Sequence, residues 1–83
     1  MEKYIALLRG INISGKNKIP MSELKKEFEI LGYENVTTYL NSGNVIFTSN
    51  IDKEEIIINS IHKMIKEKFS IDIPVYVMNA SQL

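Results

Sequence analysis

The sequence predicts an α+β domain in which four antiparallel strands form one sheet and two helices cover one of its faces. Short runs rich in β-branched and aromatic residues alternate with two segments of helical period, and polar turns separate them. A length of 83 residues suits one small domain of this kind.

The first strand is predicted over residues 3–8, because this run is apolar on both faces, as a central strand is. Residues 9–18 follow as a polar loop with two glycines. The first helix is predicted to begin with Pro20, whose missing N–H costs nothing in the first turn. Gly32 should end it as a left-handed cap, with Tyr33 folding back on the last turn. Its apolar stripe is Met21, Leu24, Phe28 and Leu31.

A hairpin is predicted next, from strands over residues 36–40 and 45–48 that flank the polar turn 41–44. The second helix should open with a capping box between Asp52 and Glu55, and with a hydrophobic staple between Ile51 and Ile56. Its buried face is predicted as Ile57, Ile58, Ile61, Met64, Ile65 and Phe69. The opposite, solvated face holds Glu55, Asn59, His62 and Lys66.

The last strand is predicted over residues 73–78. Pro74 within it cannot donate to a sheet ladder, which favours a place at the sheet edge. The complete order is strand, helix, strand, strand, helix, strand, and this is the ferredoxin-like βαββαβ topology. In that topology the fourth strand lies at an edge, so the local and global signals agree.

The composition excludes several classes of function. There is no cysteine and a single histidine, so we predict no disulfide, no metal site and no cofactor. The single histidine is predicted on the solvated face of the second helix, so no serine has a histidine partner that could activate it as a nucleophile. No catalytic residue is therefore predicted. The first residues lack the layout of a signal peptide, and no apolar run is long enough to span a bilayer, which indicates a cytoplasmic protein without membrane contact. A net charge of zero argues against nucleic acid as a partner.

Positive charge is nevertheless concentrated in residues 9–26, which have a local balance of +4. A basic loop of this kind attracts anions, although the same charges also serve simply to solvate a loop and a helix face. Gly10 to Lys16 fits the first seven positions of the phosphate-loop pattern, but Asn17 replaces the required hydroxyl and the helix starts too late. The loop therefore predicts a looser anion site, with charge from Arg9 and Lys16 and backbone N–H groups from Gly10 to Gly15.

Strand direction brings the turn 41–44 to this loop. The first and second strands are parallel in the predicted sheet, so the loop after one and the turn after the other lie at the same end. The converging candidates for an anion-binding site are Arg9, Gly10, Asn12, Gly15, Lys16, Ser42, Gly43 and Asn44. The alternative is a purely structural turn, in which Gly43 and Asn44 provide left-handed backbone angles.

RNA binding is a further alternative, because RNA-recognition domains share this topology and stack bases on aromatic residues of the central strands. The only candidates here are Tyr4, Tyr39 and Phe47. Strand aromatics more often pack against helices, so the sequence favours a core role for them.

Residues 4–21 and 38–47 resemble two motifs of a bacterial family known as domain of unknown function 1697. Departures are mild: Ser14 stands where glycine is usual, and Asn41 where glutamine is common. The resemblance implies a ferredoxin-like first domain followed by a C-terminal part, and it brings no activity, substrate or cofactor.

Two functional hypotheses result. In the first, the corner between the loop 9–18 and the turn 41–44 binds an anionic or phosphate-bearing small molecule. In the second, the domain is a structural or interaction half-domain that packs against a C-terminal domain of the same protein, with no activity of its own. A second copy of the chain is a further candidate partner. For these residues alone, the sequence favours a non-enzymatic role.

Overall fold

A computed structural model describes residues 1–39 and 43–80. Its elements are β1 (Glu2–Leu8), α1 (Met21–Ile30), β2 (Glu34–Thr38), β3 (Asn44–Ser49), α2 (Glu54–Phe69) and β4 (Val75–Asn79). The strands form one four-stranded sheet in the order β2-β3-β1-β4, and every neighbouring pair is antiparallel. The predicted ferredoxin-like βαββαβ fold is confirmed.

The side chains of β1 alternate between two very different surroundings. Tyr4, Ala6 and Leu8 are buried in a core that they share with α1 and α2. Ile5 and Leu7 point to the other side of the sheet and are only half-buried. We call this second side the open face; on the strands it comprises Lys3, Ile5, Leu7, Thr37, Asn44, Ile46, Thr48, Tyr76 and Met78, and Tyr39 joins it just after β2.

Aromatic packing forms the centre of the core. The Phe47 ring, fully buried on β3, lies 4.7 Å from the Tyr33 ring and 5.4 Å from the Phe28 ring between centroids. Tyr4 stacks on Phe47 at 5.9 Å. These contacts join the sheet to α1, and the predicted apolar face of α2 completes the core with Ile57, Ile61, Met64 and Ile65 buried.

The end of α1 follows the prediction. Gly32 has φ 99° and its N–H donates to the Glu29 carbonyl, while the Tyr33 N–H donates to the Phe28 carbonyl. This is a Schellman motif, which requires a residue that tolerates the left-handed region. At the other end Pro20 is the cap itself and not the first helical residue; its carbonyl accepts from the Glu23 and Leu24 N–H groups.

The predicted start of α2 is wrong by one residue. Lys53 is the N-cap, no side chain caps the helix, and the capping box between Asp52 and Glu55 is not formed. The staple positions consequently shift too, and Ile51 and Ile56 are both exposed. The preceding backbone is fixed instead by the core, because the Tyr4 hydroxyl donates to the Ile51 carbonyl at 3.1 Å.

The bounds of all four strands differ from the prediction, those of β1 and β3 by only one residue at any end. β4 begins at Val75, because the Pro74 carbonyl accepts from the Arg9 N–H at 3.3 Å but proline has no N–H to return the bond. Its place at the sheet edge is confirmed. β2 begins two residues early, at Glu34, with an irregular register before Thr37. β2 ends at Thr38, one residue before the described Tyr39, while residue 40 of its predicted range and residues 41–42 of the following turn lie outside the described residues.

Across residues 1–39 and 43–80, no helix is both long and apolar enough to cross a membrane.

Candidate functional site

The loop between β1 and α1 folds into a small hairpin of its own. Ile13 and Lys16 exchange backbone hydrogen bonds of 2.8 and 3.3 Å. Between them Ser14 and Gly15 have φ of 48° and 79°, so both central residues of the turn are left-handed, as a type I′ turn requires. Buried Ile11 and Ile19 anchor the two ends of the loop in the core.

Two asparagines close this loop. The Asn12 Oδ1 accepts from the Ile19 N–H at 2.9 Å, and its Nδ2 donates to the Ile19 carbonyl at 3.2 Å. The Asn17 Nδ2 donates to the Gly10 carbonyl at 2.9 Å. The backbone N–H groups of Asn12 and Ile13 donate to carbonyls inside the loop. These polar groups therefore stabilise the loop itself.

The second predicted segment reaches the first through Gly43. The Leu8 N–H donates to the Gly43 carbonyl at 2.7 Å. A Cβ atom on Gly43 would lie 2.4 Å from the Leu8 carbonyl oxygen, and the φ of 75° is left-handed, so only glycine fits without strain. Of the other turn residues, Asn44 is half-buried at the start of β3, and Ser42 lies outside the described residues.

A pocket of about 420 Å³ opens where the two segments meet; we call it the Arg9 corner. It is lined by Leu7, Leu8, Arg9, Gly10, Ile11, Ile13 and Asn44. Its walls thus combine aliphatic side chains with polar groups, among them the Asn44 side chain and one cation, Arg9. Sequence reasoning missed Leu7 and Ile13, and the strand alternation that places Leu7 on the open face was the available signal.

The predicted site residues are divided by the fold. Arg9, Gly10 and Asn44 line the Arg9 corner. Asn12 and Gly15 line a separate pocket of about 350 Å³, shared with Lys18, Ile19 and Pro20. Lys16 is exposed on the hairpin and lines neither pocket. The structure therefore brings only part of the predicted set together.

The basic residues of the segment 9–26 are exposed, and none forms an ion pair with another described residue. The Arg9 guanidinium also has no hydrogen-bond acceptor among residues 1–39 and 43–80. By contrast, the exposed Asp72 is engaged: His62 Nε2 lies 2.8 Å away and Lys66 Nζ lies 3.8 Å away. His62 is on the surface as predicted, but its carboxylate partner was not foreseen.

The aromatic residues weighed for base stacking are placed differently from one another. Tyr4 and Phe47 are 2% and 0% exposed, inside the helix-covered core. Tyr39 is 49% exposed on the open face. The core role that the sequence favoured holds for the first two residues.

Comparison with known proteins places the chain in a family. No curated protein matches it in sequence. It is similar to the structure of conserved bacterial protein SP0830 from Streptococcus pneumoniae, with a TM-score of 0.82 and 37% identity over 95% of this chain and 43% of that chain. The chain thus spans less than half the length of this neighbour. Residues 1–83 match the family described as protein of unknown function (DUF1697), and the chain belongs to that family.

Proposed function

We propose that this domain is an interaction module whose open face packs against the remaining part of a longer protein. The observation that carries the proposal is an apolar row across the uncovered side of the sheet. The register places Ile46, Ile5 and Met78 side by side on three neighbouring strands. Leu7 and Tyr76 form a second pair beside them.

The composition of the open face is unusual for a face that meets water. An antiparallel sheet with one wet side typically carries polar residues there. Here Tyr76 is 54% exposed and Tyr39 is 49% exposed. Ile5, Leu7 and Ile46, which lie between them, are half-buried. Covering these side chains would remove further apolar surface from water, at about 25 cal/mol per Å².

The size of the open face favours a covalently linked occupant over a separate chain. Four strands about 4.8 Å apart and about five residues long span roughly 320 Å² in projection. The protruding side chains make the accessible surface larger than this projection. A stable complex of separate chains nevertheless buries about 800 Å² on each partner, which is more than twice the projected area. A linked domain needs less contact, since the linker supplies a high effective concentration. The pneumococcal neighbour has more than half of its length beyond the matched region, which is room for such a domain.

The small-anion hypothesis for the loop 9–18 has less support. The backbone N–H groups of Asn12, Ile13 and Lys16 bond to carbonyls within the loop, and both polar atoms of the Asn12 side chain bond to Ile19. A concave anion site needs such donors free. The part of that hypothesis that the geometry favours is Arg9, which forms no ion pair with a described residue.

We further propose a cytoplasmic location in a bacterial cell, which the lack of cysteine and the pneumococcal relative support. Fractionation of cells that express the whole protein should recover it with the cytoplasmic fraction. Recovery from the periplasm or the medium would contradict this.

Hydroxyl-radical footprinting tests the interaction module directly. We expect Met78 and Tyr76 to be oxidised several-fold more slowly in the whole protein than in the 83-residue chain. Ile30 and Leu31, exposed on the helix side, serve as controls that should react equally in both. Equal oxidation of Met78 in the two proteins would refute the proposal. So would a stable dimer of the 83-residue chain that protects the same residues, because it would assign the open face to a second copy.

A further inference from the structure

The Arg9 corner is continuous with the open face. Leu7 belongs to both: it lines the corner, and it lies opposite Asn44 on β3 and Tyr76 on β4. Arg9 follows two residues later at the end of β1. Any segment that covers Leu7 and Tyr76 therefore comes within reach of the Arg9 guanidinium.

Covering the corner would create an electrostatic problem that the described residues do not solve. Moving a cation out of water is costly unless an acceptor pairs with it. The carboxylates on the sheet strands are Glu2 and Glu34, opposite Ser49 and Thr48 at the far end of β3. Asp72 precedes β4 but is engaged by His62 and Lys66. Among residues 1–39 and 43–80, the sheet strands thus offer Arg9 no carboxylate at its own end of the sheet.

We infer that the Arg9 corner is a carboxylate-binding site, filled by an acidic side chain of the segment that covers the open face. This rests on the function proposed above. The guanidinium is planar and can hold a carboxylate through two parallel N–H···O bonds. Leu7, Ile11 and Ile13 contribute apolar side chains to the corner, and a segment that covers them would exclude water from it, which strengthens the pair. The ion pair would fix the orientation of the docked segment, and the apolar row of the open face would supply most of the buried contact area.

The first test compares R9Q with K25Q in the whole protein and in the 83-residue chain. Lys25 is a matched control, because it is an exposed cation of the same basic segment but lies on α1, away from the open face. In the 83-residue chain both variants should keep the Tm of the parent, since neither side chain pairs with any of the described residues. In the whole protein, R9Q should lower the Tm by about 3 °C and speed the oxidation of Met78, whereas K25Q should do neither.

The outcomes separate this inference from the proposal beneath it. If Met78 is equally oxidised in the whole protein and the 83-residue chain, the open face is uncovered and the function proposed above fails, and the inference with it. If Met78 is protected but R9Q is as silent as K25Q, only the carboxylate site is overturned.

A second measurement distinguishes a side-chain carboxylate from a free anion. Amide NMR spectra of the 83-residue chain would be recorded during separate titrations with sodium acetate and sodium phosphate. We expect only weak, unsaturated shifts around Arg9, because the covering segment is missing. Saturable shifts at residues 9–13 and 43–44 with a Kd below about 1 mM, lost in R9Q, would overturn the inference in favour of a small-anion site.

Discussion

The two faces of the sheet are built from the same strands yet have different surroundings. Phe47 and Ile46 are neighbours on β3; the first is fully buried beneath the helices and the second is half-buried on the open face. Tyr4 and Ile5 repeat this contrast on β1. Both residues of each pair belong to the same strand, so their different burial comes from what covers each face of the sheet. Apolar residues on both sides of a strand predict two coverings, and α1 and α2 supply one.

Truncation of the covered face should have the largest effect. Phe47→Ala removes a ring that packs against Phe28, Tyr33 and Tyr4, and we expect a loss of about 3–5 kcal/mol in the free energy of unfolding. Ile46→Ala, one residue away, should cost about 1 kcal/mol or less in the 83-residue chain, since less surface is buried. Urea unfolding measures both. Similar losses would break the comparison, because they would show that the open face is covered in this chain too.

Gly43→Ala tests the backbone contact where the Arg9 corner closes. The new Cβ would collide with the Leu8 carbonyl oxygen at a left-handed φ, so we expect a loss of about 2–3 kcal/mol. Gly32→Ala is the matched control: its φ is also left-handed, but nothing lies within 4 Å, and the loss should be about 1 kcal/mol. Thermal unfolding of both variants gives the difference. Equal losses would mean that Gly43 is needed for its φ alone.

Asn12→Ala tests whether the loop 9–18 is held from within. Both polar atoms of Asn12 bond to Ile19, which is buried, so we expect a loss of about 1–2 kcal/mol. Asn17→Ala removes a single exposed bond to Gly10 and should cost about 0.5 kcal/mol. Amide hydrogen exchange at Ile19 reports the local change. Unaltered exchange in Asn12→Ala would indicate that core anchoring by Ile11 and Ile19 suffices.

A further effect concerns pH and lies entirely on the covered side of the sheet. Burial raises the pKa of Tyr33 above its ordinary value of 10.0. Ionisation is therefore easier in the unfolded chain, and this stabilising contribution is complete below pH 10 and is lost as the pH rises through the folded pKa. Tyr33→Phe removes the hydrogen bond to Ser60, at 2.6 Å, and should cost about 1 kcal/mol at neutral pH.

Unfolding at pH 7 and pH 11 tests this linkage. The difference in stability between the parent and Tyr33→Phe should shrink at the higher pH. A difference that grows with pH would contradict the direction of the shift.

The fold was predictable because its signals are periodic. The apolar run of β1, the hairpin pattern of β2 and β3, the helical spacing of apolar residues and the Gly32 cap are all local, and they agree with one topology. The α1 stripe holds except at Leu31, which follows the helix and is exposed. The start of α2 was not predictable in the same way, because the capping box at Asp52 is a local preference that the core overrides. The backbone before the helix is held by the hydrogen bond from Tyr4, which is far away in sequence. The start of β4 needed the bond from Arg9 to Pro74, which is also a long-range contact.

The candidate site was only partly predictable. Strand direction alone indicated that Arg9 and Gly43 meet, and the bond between Leu8 and Gly43 shows that they are neighbours. The inner hydrogen bonds of Asn12 and Asn17 were not foreseen, since asparagine serves equally well as a ligand donor or as a loop closure. Their partners are backbone groups, which leave no mark in the side-chain pattern.

The self-closed loop between β1 and α1 has a practical consequence. Its tip, Ser14 and Gly15, is exposed, while its two ends are anchored by Ile11 and Ile19. A hairpin fixed at its base tolerates added residues at its tip, as exposed loop tips generally do. A short fluorescent or spin-labelled insert between these two residues would leave the sheet intact. Such a reporter would give the domain a readout of its neighbours inside living cells, with the strands of the open face left as they are.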